Sequence, residues 1–101
     1  MNATDFRDAT FERLTAELPA LRAAAYRAWV EHGPGTTRQV AALAGMDILT
    51  FRPRTSELLD MGLVRVCEGQ RVLGNGVYEA VSAPQWERWR EGLAERQLPL
   101  I

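Results

Sequence analysis

The sequence contains no lysine, so all twelve of its basic side chains are arginines. A GC-rich coding genome produces this usage, and it is the first explanation. The second explanation is chemical, because the guanidinium group carries a planar fork of donors that matches phosphates and guanine edges. The absence of lysine is therefore compatible with a phosphate-binding surface but does not require one.

Cysteine and histidine are scarce as well, with one of each, Cys67 and His32. A lone cysteine excludes an intramolecular disulfide, which favours a cytoplasmic location, and we expect Cys67 to be a small buried side chain. No further ligand stands at metal spacing from His32, so we expect neither a metal site nor a cofactor. Because no nucleophile has a base beside it, we also expect no enzymatic activity.

Long apolar runs are absent too, so we expect no membrane span and no secretory signal. The chain has 101 residues, 47% hydrophobic and 25% charged, which predicts one globular domain over residues 1–96 and a tail at 97–101. The net charge of −1 weighs against strong binding of DNA by a monomer, because phosphate neutralisation supplies much of the affinity.

Apolar spacing predicts two helices in the first third of the chain. The first covers residues 5–17, and Pro19 opens the second, which runs from Ala20 to Glu31. The second should direct one face to the core through the side chains Leu21, Ala25, Ala28 and Trp29.

A capping box formed by Thr36 and Gln39 predicts a short helix from Thr37 to Ala44, with Val40 and Leu43 facing inward. Gly45 supplies the left-handed residue of a sharp turn. A one-faced helix follows, and its apolar positions are Phe51, Thr55, Leu58 and Leu59, with Gly62 closing it.

Pro53 lies inside this last pattern, although proline is tolerated mainly in the first helical turn. We therefore expect Thr50 to be the N-cap residue, with residues 47–49 as a turn. The alternative is a helix that begins at Ile48 and is kinked at Pro53.

Two short β-branched runs, 63–67 and 77–81, predict antiparallel strands joined by a flexible Gly-rich loop at 68–76. A second capping box, Ser82 with Gln85, opens a helix over residues 83–96. The apolar stripe of that helix is Trp86, Trp89 and Leu93.

The segments HGPG, TTRQVAALAGM and TFRPRTSELLDMGLV, followed by a hairpin pattern, resemble small bacterial and phage winged-helix domains of the MarR-like and LexA-like kind. The resemblance implies a mainly α fold with a small β-hairpin: a winged helix-turn-helix core over 20–81, flanked by helices at 5–17 and 83–96. It further implies a homodimeric transcriptional regulator that binds double-stranded DNA, with dimer contacts made by the flanking helices.

Carried over position by position, the resemblance places DNA contacts on the helix from Thr50 to Met61 and on the wing at 68–76. The implied contact residues are Arg38, Thr50, Arg52, Pro53, Arg54, Ser56 and Arg71. Arg52 and Arg54 lie about 160° apart on the helix, so either can reach DNA or pair instead with Asp47, Glu57 or Asp60. If they pair, the surface is instead a protein-binding face, as in a phage-type inhibitor.

The final residues resemble the Q-L-x-L-F peptide by which bacterial replication and repair proteins dock on the sliding clamp. The matching positions are Gln97, Leu98, Leu100 and Ile101, with isoleucine in place of the usual aromatic residue. The resemblance implies a replication-associated adaptor with the clamp as partner. The alternative is a tail folded back onto the core.

Overall fold

The computed structural model describes residues 9–96, and side chains as far as residue 92. These residues form five helices and one two-stranded antiparallel hairpin, which confirms the expectation of a mainly helical chain with a small hairpin. The elements are α1 (Ala9–Glu17), α2 (Ala20–His32), α3 (Thr37–Ala44), α4 (Ile48–Met61), β1 (Val64–Val72), β2 (Asn75–Ala80) and α5 (Ala83–Arg96). The expected start of the first helix and the tail at 97–101 lie outside the described residues.

The core is centred on aromatic side chains from α2 and α4. Trp29 is fully buried, stacks on Phe51 with ring centroids 5.5 Å apart, and donates a 2.9 Å hydrogen bond from Nε1 to Thr55 Oγ1. The hydroxyl of Tyr26 donates a 2.7 Å bond to the Val81 carbonyl, which ties α2 to the end of the hairpin. Because the Trp29 indole N–H and the Tyr26 hydroxyl both have a partner, the cost of burying these polar groups is offset.

Local capping signals define both ends of α3 and the start of α5. The reciprocal capping box of Thr36 and Gln39 is present, and Gly45 ends α3 in the left-handed conformation at φ +70°. Ser82 Oγ accepts a 3.3 Å bond from the Gln85 amide at the start of α5. The predictions for α3 are confirmed, whereas the second predicted capping box is shown only in its Ser82 half; such signals depend on residues within one turn of one another.

Helix α4 begins at Ile48, so the prediction that Thr50 caps it is wrong, and the alternative start is correct. Asp47 is the N-cap residue, and its side chain accepts a 2.8 Å bond from the Leu49 amide. Pro53 lies inside the helix and has no N–H for the Leu49 carbonyl. Both residues are on the solvent face, where water can hydrate that carbonyl, so the helix tolerates the missing bond.

Two leucines expected in the core are exposed instead. Leu43 is 64% exposed, because α3 meets the core between Val40 and Ala41 and Leu43 lies about 110° from that direction. Leu21 is also exposed, since it lies in the first turn of α2 beside an open surface depression. Apolar periodicity therefore identified the helices but not every inward side chain.

The hairpin is longer than predicted, and the flexible loop expected at 68–76 is wrong. Most of that segment is strand, and Val72 pairs with Asn75 so that only Leu73 and Gly74 form the turn. Both turn residues have positive φ, +50° and +81°, as a type I′ hairpin turn requires. Cross-strand hydrogen bonds stabilise these positions although few of them are β-branched.

The hairpin is bent in the middle and held to the domain at its base. The register shifts between Val66 and Arg71, with Gly69 at φ +79° inside the bulge. Tyr78 exchanges two backbone hydrogen bonds, 3.0 and 2.8 Å, with Gly35 in the α2–α3 connection. The base of the hairpin is therefore attached to the helices, whereas its far end projects from them.

Helix α5 packs against α1 and against the end of α4. Trp86 is buried and donates a 2.6 Å bond from Nε1 to the Met61 carbonyl, and Arg13 pairs with Glu87 at 2.6 Å. Trp89 is half exposed. None of the helices in residues 9–96 is both long and apolar enough to cross a membrane.

Candidate nucleic-acid interface

Helix α4 presents one continuous stripe of side chains to solvent. Its exposed members are Leu49, Arg52, Pro53, Ser56 and Asp60, spaced i, i+3, i+4, i+7 and i+11. The opposite face carries the buried side chains, so the helix is anchored rigidly in the core while the stripe stays accessible. Three of the sequence-predicted contact residues therefore lie together on one face.

Arg54, by contrast, is committed to an ion-pair cluster beside the stripe. It pairs with Glu57, and Glu57 also accepts a 2.7 Å bond from Arg22 of α2. The hydrogen bond from Arg22 is the largest of the effects that lower the pKa of the Glu57 carboxyl below its usual value. Of the two alternatives for Arg54, the structure shows the pairing with Glu57.

The other predicted arginines have different surroundings. Arg38, Arg52 and Arg71 are all exposed, and none has an ion-pair partner among the described residues. Arg65, on the same hairpin as Arg71, is neutralised by Glu79 at 2.6 Å. These three guanidinium groups, one each on α3, α4 and the hairpin, are therefore accessible to an anion.

The first turn of α3 adjoins the middle of α4. Thr37, Arg52 and Ser56 line a depression of about 230 Å³ that is also lined by Tyr78 of the hairpin base. The polar groups here come from three elements that are far apart in sequence. Thr50, also predicted as a contact, is only partly exposed and lies outside this depression.

The hairpin places its residues differently from the sequence prediction. Arg71 lies within β1 opposite Gly76 rather than at the tip. The tip is Leu73, which is 96% exposed. The prediction of a flexible loop over 68–76 missed this residue, because the structure extends both strands and turns the chain at Leu73 and Gly74.

A second missed feature is the exposed leucine at the start of α4. Leu49 is 77% exposed, and Leu43 of the preceding helix is exposed as well. Leu49 lies about 160° around the helix from Phe51, which places it outside the buried stripe. The residues exposed on either side of the α3–α4 turn therefore include two leucines.

The described residues hold no group of three or more histidine, cysteine or acidic side chains that could bind a metal. Cys67 is half-buried, less than expected, and burial is the main effect that raises the pKa of its thiol. A raised pKa disfavours the nucleophilic thiolate at neutral pH. No family model, curated protein or solved structure gives a significant match to the chain.

Proposed function

We propose that this protein is a non-enzymatic, cytoplasmic DNA-binding protein of the winged helix-turn-helix class. In this proposal α3 and α4 are the helix-turn-helix, α4 enters the major groove, and the β1–β2 hairpin is the wing. A small bacterial or phage transcriptional regulator that binds as a homodimer is the role that suits this class.

The observation that carries the proposal is the selective pairing of the arginines. Arg54 and Arg65 are neutralised by neighbouring acids, whereas Arg38, Arg52 and Arg71 are exposed and free of ion pairs among the described residues. These three lie on α3, on α4 and on the proposed wing, which are the elements through which a domain of this class contacts a duplex. Although the net charge is close to zero, these arginines can therefore donate hydrogen bonds to phosphates and guanines.

The roles within the interface follow from position. Arg52 and Ser56 lie on the exposed stripe of α4 and would contact base edges in the major groove. Arg38 and Arg71, on the flanking elements, would contact phosphates. Leu49 and Pro53 add apolar surface suited to thymine methyl groups.

Selection from a random duplex library tests the proposal, followed by fluorescence anisotropy at low and near-physiological salt. We expect an enriched sequence, and for Arg52→Ala a loss of about 10- to 100-fold with relaxed preference at one position. Arg71→Ala should weaken all duplexes alike and reduce the salt slope by about one. Arg65→Ala is the matched control, because that side chain is already paired with Glu79.

Two results would contradict the proposal. One is the absence of any enriched sequence, with residual binding that disappears as salt rises. The other is an Arg65→Ala variant that loses as much affinity as Arg71→Ala, since the free and the paired arginine would then be equivalent. Either result would direct attention to a protein partner.

A protein-binding role is the second candidate, favoured by the exposed leucines 43 and 49, which flank the turn between α3 and α4. Large exposed apolar groups are typical of protein contacts. Light scattering of the wild type and of Leu43→Ser/Leu49→Ser tests it: loss of a dimer in the variant supports a protein contact there, and an unchanged mass opposes self-association through it. The proposed clamp contact of residues 97–101 is tested separately, by binding of purified sliding clamp to the full chain and to a chain lacking that tail.

A further inference from the structure

The tip of the hairpin carries a residue that its backbone conformation disfavours. Leu73 has φ +50°, in the left-handed region, and is the first residue of the two-residue turn. Such turns favour asparagine, aspartate or glycine, because a branched apolar side chain clashes with its own backbone there. Local folding preferences therefore do not account for leucine at this position.

Packing does not account for it either. The side chain of Leu73 is 96% exposed, so it gains almost no burial within the described part of the chain. A residue that breaks a local rule without a compensating contact is typical of a functional position. What remains to be identified is the surface that this leucine meets.

The surroundings of the tip restrict the possibilities. Gly74, Asn75 and Gly76 follow Leu73 and are small, so the tip is narrow and bears one bulky side chain. Arg71 is the only charged residue between positions 69 and 76, and it has no ion-pair partner among the described residues. The tip is thus a thin, apolar, locally cationic projection on a chain of net charge −1.

The reach of the tip is also defined. Val77 is the buried residue of the hairpin nearest to its tip, and the nearer residue of the turn, Gly74, lies three residues before it in the chain. At the rise of a β-strand this places Leu73 about 10 Å out from the domain. The minor groove of B-DNA is about 6 Å wide, so the single side chain at the turn can enter it while the strand pair, whose axes lie about 4.8 Å apart, stays outside.

We propose that Leu73 inserts into the DNA minor groove as an apolar wedge, with Arg71 contacting the adjacent phosphate. This inference rests on the proposed DNA-binding function and adds a specific structural consequence to it. Apolar wedges partly unstack a base step and bend the duplex. The wing would therefore prefer flexible pyrimidine–purine steps without any base-specific hydrogen bond.

The test compares Leu73→Asn with Leu73→Met on the enriched duplex. Asparagine suits the left-handed turn position, so the variant should fold at least as stably as the wild type while lacking the wedge. Affinity is measured by anisotropy, and bending by energy transfer between dyes at the two duplex ends. We expect Leu73→Asn to lose at least about tenfold in affinity, together with the bend, and Leu73→Met to retain both.

The outcomes separate this inference from the proposed function. If the wild type binds the duplex and Leu73→Asn binds it equally well with the same bend, the wedge is refuted and the DNA-binding proposal stands. If the wild type enriches no duplex, both fail. If Leu73→Asn leaves DNA binding intact but converts a dimer to a monomer in light scattering, the tip is a protein contact and the wedge is refuted.

Discussion

Two glycines that end consecutive helices provide a matched test of how α5 is packed. Gly62 ends α4 at φ +84°, and Gly45 ends α3 at φ +70°. A Cβ atom at Gly62 would lie 3.0 Å from Cζ3 of the Trp89 ring, whereas one at Gly45 would have no atom within 4 Å. Alanine at either site meets the same backbone penalty, but only at Gly62 does it also meet a side chain.

The expected magnitudes follow from these two terms. A non-glycine residue in the left-handed region costs about 1–2 kcal/mol, so Gly45→Ala should lower the free energy of unfolding by that amount. Gly62→Ala should cost about 1 kcal/mol more, because the Trp89 ring must move. The added cost lies at the low end for overpacking, since Trp89 is half exposed and its ring can tilt outward.

Urea denaturation followed by circular dichroism gives both values on the same scale. A difference of about 1 kcal/mol corresponds to roughly 4–8 °C in Tm for a domain of this size. In a Trp89→Ala background, Gly62→Ala should cost no more than Gly45→Ala does. Equal destabilisation by the two substitutions in the wild-type background would refute the close packing of Trp89 on the end of α4.

Two further substitutions test contacts between elements. Glu57→Gln should lower Tm at neutral pH, because the carboxylate loses its pairs with Arg22 and Arg54. The lowered pKa of Glu57 means that this stabilisation is complete above the usual carboxyl pKa of about 4.3 and is lost as pH falls through the lowered value. The Tm difference between the wild type and Glu57→Gln should therefore be present at neutral pH and vanish at acid pH, and a difference that stays constant would contradict the ion-pair assignment. Tyr26→Phe should cost about 1–2 kcal/mol in denaturant unfolding, since the Val81 carbonyl loses its buried donor; no change would refute that bond.

The features that could be predicted from sequence are those set by a few neighbouring residues. The capping box before α3 and the left-handed glycine after it depend on one turn of chain, and both were correct. The choice of Thr50 as the start of α4 was wrong because it gave the penalty for Pro53 more weight than the cap formed by Asp47. Two local preferences competed there, and the sequence does not show that the unpaired Leu49 carbonyl faces solvent.

The candidate interface shows the same division. The residue types on α4 and the hairpin were recognisable, but Arg54 and Arg52 are equivalent in the sequence. They differ in the structure because Arg54 pairs with Glu57. Glu57 is held there by a hydrogen bond from Arg22 of α2, which is 35 positions away in the sequence. Likewise the turn formed at Leu73 rather than at the more favourable Asn75-Gly76, because the strand register decides where the chain reverses.

The sequence by itself determined the number and order of the helices, the hairpin and the sharp turns between them, because periodicity, caps and glycines act within one or two turns of chain. Only the tertiary structure decided which arginines remain free, which leucines are exposed and which residue forms the hairpin tip. Those properties depend on neighbours brought together from distant positions by packing and strand register. The candidate interface is therefore a property of the folded surface, whereas the elements that carry it are already evident in the chain.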